Sequence, residues 1–336
     1  MATIQDVAKQ AGVSTATVSR VLNGYEHVTQ PVMEKVQEAI AALGYEPNVM
    51  AKNLRTLKTQ RLIVTVPDIA NTFFSNIIRG VEETASAAGY TVLLGDVGFS
   101  GESEEAYASL LRRREADGLI FLGHTLPASL GDLIEKKGAS APIVNGCEFS
   151  EDLLVSSVHI DNAHAARDVM DLLYGLGHRR IGIITGDMRS PISRDRLQGV
   201  RDSAAAHGRE SELQVITGDY SIESGATLAA GLIRMQPMPT ALFCFSDDMA
   251  FGAMYALREA GLDCPADMSI VGFDDVRLAR FSTPSLTTVR QPMREIGRRT
   301  VGLLLDIIDG KVDERVNITL DHELVVRGST AEPRKR

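Results

Sequence analysis

The 336-residue chain has only three cysteines, Cys147, Cys244 and Cys264, each far from the others. An odd, scattered set supplies neither a disulfide framework nor a zinc-ligand spacing, which fits a reducing compartment. No charged-then-apolar leader opens the sequence, and no apolar run nears the roughly 18 residues of a membrane helix. A cytoplasmic protein with no membrane partner is expected. Enzyme signatures are missing as well: G-x-G-x-x-G after the first strand, a Walker A loop, G-x-S-x-G and H-E-x-x-H. His124, His159, His164 and His178 stand singly without metal-ligand spacing. Glu102, Glu104 and Glu105 read as the solvated acidic start of a helix. No catalytic residue, metal or cofactor is therefore expected, and any small molecule should be bound non-covalently.

Positive charge is in short supply overall, with 35 Lys and Arg against 44 Asp and Glu, a net −9. That balance argues against nucleic acid until it is divided along the chain. Residues 1–61 hold 7 basic against 5 acidic side chains, and the remainder holds 28 against 39. A basic head on an acidic body can approach DNA in one orientation only. The length, with 44% hydrophobic residues, suffices for one small and two medium folded units.

The basic head carries the most informative stretch, TIQDVAKQAGVSTATVSRVLNG over residues 3–24. Thr3 followed by Asp6 reads as a capping box, and Val7, Ala8 and Ala11 make the apolar stripe of a helix that Gly12 stops. Ser14 caps a second helix, in which Val18, Val21 and Leu22 fall at i, i+3 and i+4. Thr15, Ala16, Thr17, Ser19 and Arg20 are left on or beside the opposite face. A face of small residues is what a helix needs to enter a major groove about 12 Å wide; an ordinary helical hairpin is the competing reading. Thr29 and Pro31 open a third helix with Val32, Val36, Ala39, Ile40 and Leu43 on one face, ended by Gly44. Residues 1–46 thus read as a three-helix unit. The next segment, PNVMAKNLRTLKTQR, contains Lys52, Arg55, Lys58 and Arg61 and no acid. It reads either as a solvated linker or as a short helix that orders on DNA.

The rest of the chain alternates strand and helix. LIVTVPD, TVLLGD, GLIFLG, APIVNG, SVHID, IGIITG, LQVITGD, ALFCFSD, SIVGFDD and a late NITLDHELVVRG read as strands, most separated by amphipathic helical stretches. About ten strands are too many for one compact unit, so two doubly wound parallel-sheet lobes are expected. Polar and aromatic residues gather at the strand ends: Asn71 to Phe74, Asp96, Asp161, Asp219 with Tyr220, Ser246 to Asp248, and Asp274 with Asp275. In open α/β sheets such positions face a ligand crevice, although an Asp there can simply cap the next helix.

These phrases resemble the lactose-repressor (LacI/GalR) family of bacterial transcription regulators. The resemblance is carried by DVAKQAGVSTATVSRVLNG, VTQPVMEKVQEAIAALGYEPN, MAKNLRT, VPDIANTFFSNIIRGVEETASAAGY, DGLIFLG, HIDN, GHRRIGIITG, RLQGV, SDDMAFGAMYALREAGL, MSIVGFDD and LTTVRQP, in the family's order along nearly the whole chain. VPDI, FFSNIIRGVE, HIDN, GHRRIG, RLQG and RGST resemble its cytidine-repressor branch most. The resemblance implies an all-α helix-turn-helix domain over 1–46, a hinge helix over 47–60 and a core over 61–336 like the type I periplasmic binding proteins. The core's first lobe would comprise 61–160 plus 292–320, and its second 161–291 plus 321–336. It also implies that Thr15, Ala16 and Arg20 face base edges, and that Leu54 is a minor-groove wedge in a segment whose Asn48, Ala51, Lys52 and Arg55 also meet DNA. Phe73, Phe74, Arg196, Tyr220 and Asp274 or Asp275 match effector-contact positions, to which the strand-end reading adds Asp96, Asp161 and Asp247.

The expected function is a ligand-responsive repressor, acting as a homodimer on a near-palindromic duplex operator. Aromatic faces, a guanidinium and carboxylates suit a nucleoside effector. A pentose or hexose is the alternative, and a cytoplasmic solute-binding module without DNA function is the other class.

Overall fold

The computed structural model describes residues 2–22, 28–45, 58–98, 102–150 and 152–334. The chain divides into two compact units, Met1–Thr59 and Gln60–Arg336.

In the first unit, α1 (Ile4–Ala11), α2 (Thr15–Leu22) and α3 (Gln30–Leu43) follow the local signals closely. Thr3 Oγ1 accepts from the Asp6 N–H at 3.3 Å while the Asp6 carboxylate accepts from the Thr3 N–H at 2.8 Å, which closes the capping box. Gly12, at φ 67°, ends α1 in a left-handed turn. Ser14 Oγ accepts from the Thr17 N–H at 3.1 Å and starts α2. Val7, Ala8, Val18, Val36 and Ala39 form the core, with Val21, Leu22, Ile40 and Leu43 packed against it.

The second unit begins with β1 (Arg61–Val66), α4 (Thr72–Ala87), β2 (Thr91–Asp96), α5 (Glu102–Arg112), β3 (Gly118–Phe121), α6 (Gly131–Lys137), β4 (Ile143–Gly146) and β5 (Ser156–Ile160). It continues with α7 (Asn162–Gly175), β6 (Ile181–Thr185), α8 (Pro191–Ala206), β7 (Leu213–Thr217), α9 (Ile222–Ile233), β8 (Ala241–Cys244), α10 (Asp247–Glu259) and β9 (Ser269–Asp274). It ends with β10 (Thr287–Arg290), α11 (Met293–Ile308), β11 (Asn317–Leu320) and β12 (Glu323–Val325). Two six-stranded sheets result, in the orders β11-β5-β4-β3-β1-β2 and β12-β10-β9-β8-β6-β7. They define a first and a second α/β lobe.

The expected doubly wound lobes are present, with one strand, β10, that the strand reading did not name. The late segment NITLDHELVVRG is two strands in different sheets, because the chain crosses between lobes after β11; β12 then pairs antiparallel with β10 and borders an otherwise parallel sheet. The strand β10 escapes an apolar-run reading because two of its three buried residues, Thr287 and Thr288, are threonines beside Val289. Thr288 Oγ1 donates to Asp247 at 2.6 Å, and the Thr287 N–H donates to Ser329 Oγ at 2.8 Å, so hydrogen bonds satisfy what apolar contacts supply elsewhere. The chain passes between sheets three times: from β5 to β6, from β10 to β11 and from β11 to β12.

The helices of the first lobe meet in close contact where α11 crosses α4. A methyl on Gly297 would lie 2.1 Å from the Ile77 carbonyl oxygen, and one on Gly80 would lie 2.1 Å from that of Arg294. The crossing anchors the helix that follows a lobe crossover against the helix whose first turn carries Phe73 and Phe74.

Candidate functional site

In each sheet the strand order reverses at one point, between β1 and β3 in the first lobe and between β6 and β8 in the second. Ligands of doubly wound sheets bind beyond the carboxyl ends of the strands at such points. The carboxyl ends of strands in both sheets carry the candidate polar residues: Glu148 after β4, Tyr220 after β7 and Asp274 at the end of β9, with Arg196 on the helix after β6.

Arg196, on α8, is the best-determined of them, at 2% exposure. Its Nε donates to Asn162 Oδ1 at 2.9 Å, its Nη1 donates to the Phe245 carbonyl at 2.6 Å, and its guanidinium lies 3.6 Å from the centre of the Phe273 ring. Those contacts hold a buried cation without a carboxylate hydrogen bond among the described residues and fix the plane of its guanidinium. Asp274, at the end of β9, is buried and accepts from Gln291 Nε2 at 2.7 Å. Gln291 follows β10 where the chain leaves the second sheet, so the carboxyl is tied to a crossover. Tyr220, after β7, shares a 2.5 Å hydrogen bond with Ser193 Oγ, and its ring covers Gly186, where any side chain would collide with it.

A fourth group carries none of the motifs read from the sequence. Glu148, just beyond β4, is buried and accepts from Ser190 Oγ at 3.2 Å. Glu148 could be found only once the fold brought these loops together. Burial pushes both Glu148 and Asp274 up to about 7, with the Arg196 charge opposing the rise at each. Burial also raises the Tyr220 hydroxyl to about 12, while Arg196 and Ser193 act to lower it and the charges of Glu148 and Asp274 reinforce the rise. Glu148, Arg196, Tyr220 and Asp274 therefore form one electrostatic neighbourhood. It can accept hydrogen bonds, donate them from a fixed guanidinium and present an aromatic face.

The remaining strand-end acids behave differently. Asp247 is fully buried, with Oδ1 accepting from Thr288 and Oδ2 from the Val276 N–H at 2.8 Å. Asp275 is held by Arg290 at 2.7 Å and Arg327 at 2.6 Å. In both, the carboxylate oxygens brace the second sheet and its edge through these bonds. Asp161 accepts from the His164 N–H at 2.8 Å and caps α7, the capping alternative. Asp96 is exposed at the end of edge strand β2. Phe73 and Phe74 are buried, edge to face with centroids 5.1 Å apart, at the start of α4 where Asn71 caps the helix.

On α2, Thr15, Ala16 and Arg20 are exposed, Thr17 and Ser19 are half-buried, and Thr17 Oγ1 lies 2.9 Å from Ser14 Oγ. Asn48, Ala51, Lys52, Leu54 and Arg55 lie outside the described residues. Among the described residues no helix is long and apolar enough to cross a membrane.

Comparison with known proteins agrees at both ends of the chain. Residues 3–48 match the model of bacterial regulatory proteins of the lacI family, and residues 170–330 match a periplasmic binding protein-like domain. The chain belongs to the lacI family of bacterial regulatory proteins, and is a ligand-responsive, sequence-specific DNA-binding regulator rather than an enzyme. Within the family it sits on the CytR branch. It is 41% identical to the HTH-type transcriptional repressor CytR of Escherichia coli (strain K12) over 98% of this chain and 96% of that one. The lac repressor dimer bound to operator and the anti-inducer ONPF is similar with a TM-score of 0.86 and 30% identity, over 98% of this chain and 99% of that one. A transcriptional regulator CelR–cellobiose complex is similar with a TM-score of 0.73 and 33% identity, over 98% and 100% of the two chains.

Proposed function

We propose that this regulator is a repressor acting as a homodimer on a near-palindromic operator in the cytoplasm, and that a nucleoside bound between the lobes controls its affinity for that operator. In this reading 1–46 is the DNA-reading domain, 47–60 a hinge and 61–336 the effector core, with lobes 61–160 plus 292–320 and 161–291 plus 321–336. Thr15, Ala16 and Arg20 of α2 meet base edges, with Thr17 and Ser19 at the groove's rim. Asn48, Ala51, Lys52 and Arg55 meet the backbone near the operator centre, where Leu54 acts as a wedge. The exposure of Arg20 on a capped helix supports this, since a guanidinium can bond guanine through two atoms.

The effector reading rests on one observation above the others: buried Arg196 and buried Asp274 both lie near enough to Tyr220 for their charges to act on its hydroxyl. Tyr220 stacks on a flat ring, and Phe73 with Phe74 closes the opposite face. Asp274 accepts from sugar hydroxyls, and Arg196 donates to a carbonyl or hydroxyl. Gln291 joins Asp274 to the β10–β11 crossover, so a ligand that engages Asp274 acts on a connection between the lobes. For that engagement to change DNA affinity, the ligand must bind one lobe arrangement better than the other. A pentose or hexose is the second reading, favoured by the same Asp274–Arg196 pair; the CelR structure carries cellobiose.

A thermal-shift screen against nucleosides, nucleobases, pentoses and hexoses separates the two. A ligand at 100 times its dissociation constant stabilises by about 2.7 kcal/mol. A shift with cytidine or adenosine and none with ribose supports the nucleoside; a shift with sugars alone replaces it.

A further inference from the structure

Glu148 lies beyond β4 of the first lobe, yet its hydroxyl partner, Ser190, precedes α8 of the second. At 7% exposure the carboxyl has one oxygen bonded to that hydroxyl and the other 3.9 Å from His124 Nδ1, beyond hydrogen-bond reach. The ionisable groups around it come from every neighbouring segment: His124 after β3, Cys147 beside it, Asp187 after β6, and Arg194 and Arg196 on α8, with Tyr220 within range of its charge. No arginine pairs with it among the described residues; Arg196 spends Nε and Nη1 on Asn162 and Phe245, and Arg194 Nη1 donates to the Met188 and Arg189 carbonyls. A buried carboxyl so arranged has acceptor capacity to spare and, when protonated, a donor as well.

Resting on the nucleoside reading above, we propose that Glu148 is a specificity-determining residue that reads the hydrogen-bonding edge of the base. Its acid O–H donates to a ring nitrogen, and its carbonyl oxygen accepts from the neighbouring exocyclic amine, as on the aminopyrimidine edge of cytosine or adenine. Two parallel hydrogen bonds form, no covalent bond changes, and one proton stays on the protein. A carboxylate cannot make the first of these bonds and faces the lone pair of the ring nitrogen.

Binding is then coupled to a proton. In the unliganded protein the Glu148 carboxyl, held at about 7 by burial, is largely ionised at pH 8. A bound base excludes the remaining water and holds the O–H, so the complex takes up a proton there. Affinity falls as pH rises through 7, by about tenfold for each further unit when one proton is fully coupled.

The test is calorimetric titration of the full-length protein with cytidine between pH 6 and 8.5, in wild type and in Glu148→Gln, Glu148→Ala and Asp274→Asn. The amide of Glu148→Gln donates and accepts without a proton. It should bind within about threefold of wild type at pH 6 and show no pH slope, while Glu148→Ala should bind more weakly throughout that range. If Asp274→Asn binds measurably, its slope should match that of wild type. A slope that survives Glu148→Gln, or a Glu148→Ala that binds as tightly as wild type at pH 6, overturns the assignment to Glu148. Failure of cytidine and adenosine to bind wild type at any pH, where sugars do bind, overturns the nucleoside reading and this proposal with it. A wild type that binds cytidine without any slope leaves the nucleoside reading intact and overturns this proposal alone.

Discussion

Four residues that end strands in the core, Cys147, Tyr220, Asp274 and Asp275, hold φ angles of 70°, 70°, 122° and 55° without being glycine. Each costs on the order of 1–3 kcal/mol and persists only where its surroundings over-determine it. The restraints are visible: Ser193 on Tyr220, Gln291 on Asp274, and Arg290 with Arg327 on Asp275. Strain gathered at the ends of strands is consistent with preorganised binding. Truncation of Tyr220 to alanine is expected to weaken an aromatic ligand by tenfold or more and a bare sugar by much less; calorimetry that finds equal losses removes the stacking role. The two raised carboxyls also make stability depend on pH. Burial lifts Glu148 and Asp274 from 4.5 and 3.8 to about 7, so the fold favours their neutral forms. The stability they contribute is complete below the unfolded values and is lost as pH rises through 7, on the order of 3 kcal/mol for each. The melting temperature of the unliganded protein should fall from pH 5 to pH 8, and fall less in Glu148→Gln. An undiminished fall in that variant would place the protons elsewhere.

At the scale of elements, caps and glycines govern what could be read from sequence. The Thr3–Asp6 box, Ser14, Gly12 and Gly44 signal α1, α2 and α3 because each acts within a few residues of its own helix. Glu148 gave no such signal: its importance comes from depth, and its depth comes from a helix more than 40 residues further along the chain. Asp247 shows the converse limit: a strand-end acid looks alike in sequence whether it faces a ligand or braces a threonine-rich neighbour, and its bonds to Thr288 and Val276 became visible only in the fold. Two predictions belong here. Arg20→Ala is expected to lose about 1–3 kcal/mol of base discrimination while leaving effector binding unchanged; anisotropy with matched and scrambled duplexes measures the first and calorimetry the second, and equal loss of both would indicate a folding defect. Gly297→Ala forces a methyl into the Ile77 carbonyl and should destabilise the core by about 1–3 kcal/mol, read as a lower urea midpoint. An unchanged midpoint would mean that α11 can move off α4 freely.

For the whole molecule, the division of charge and the two compact units describe a DNA reader joined to a ligand binder. The second lobe also exposes Leu278 at 59% and Phe281 at 62%, apolar surface that a lone monomer gains nothing by presenting. If a homodimer buries this surface, Phe281→Glu should sediment more as monomer and bind operator more weakly; unaltered sedimentation would place the interface elsewhere. The central claim, that effector and DNA are coupled through one chain, has a direct test. A duplex selected from a random pool for binding to the full-length protein is titrated by anisotropy, with and without a saturating concentration of whichever nucleoside or sugar raises the melting temperature. The account predicts that the selected duplex carries a two-fold symmetric motif and that its affinity changes by tenfold or more, a coupling of about 1.4 kcal/mol. Identical affinity in the presence and absence of every bound ligand would contradict it.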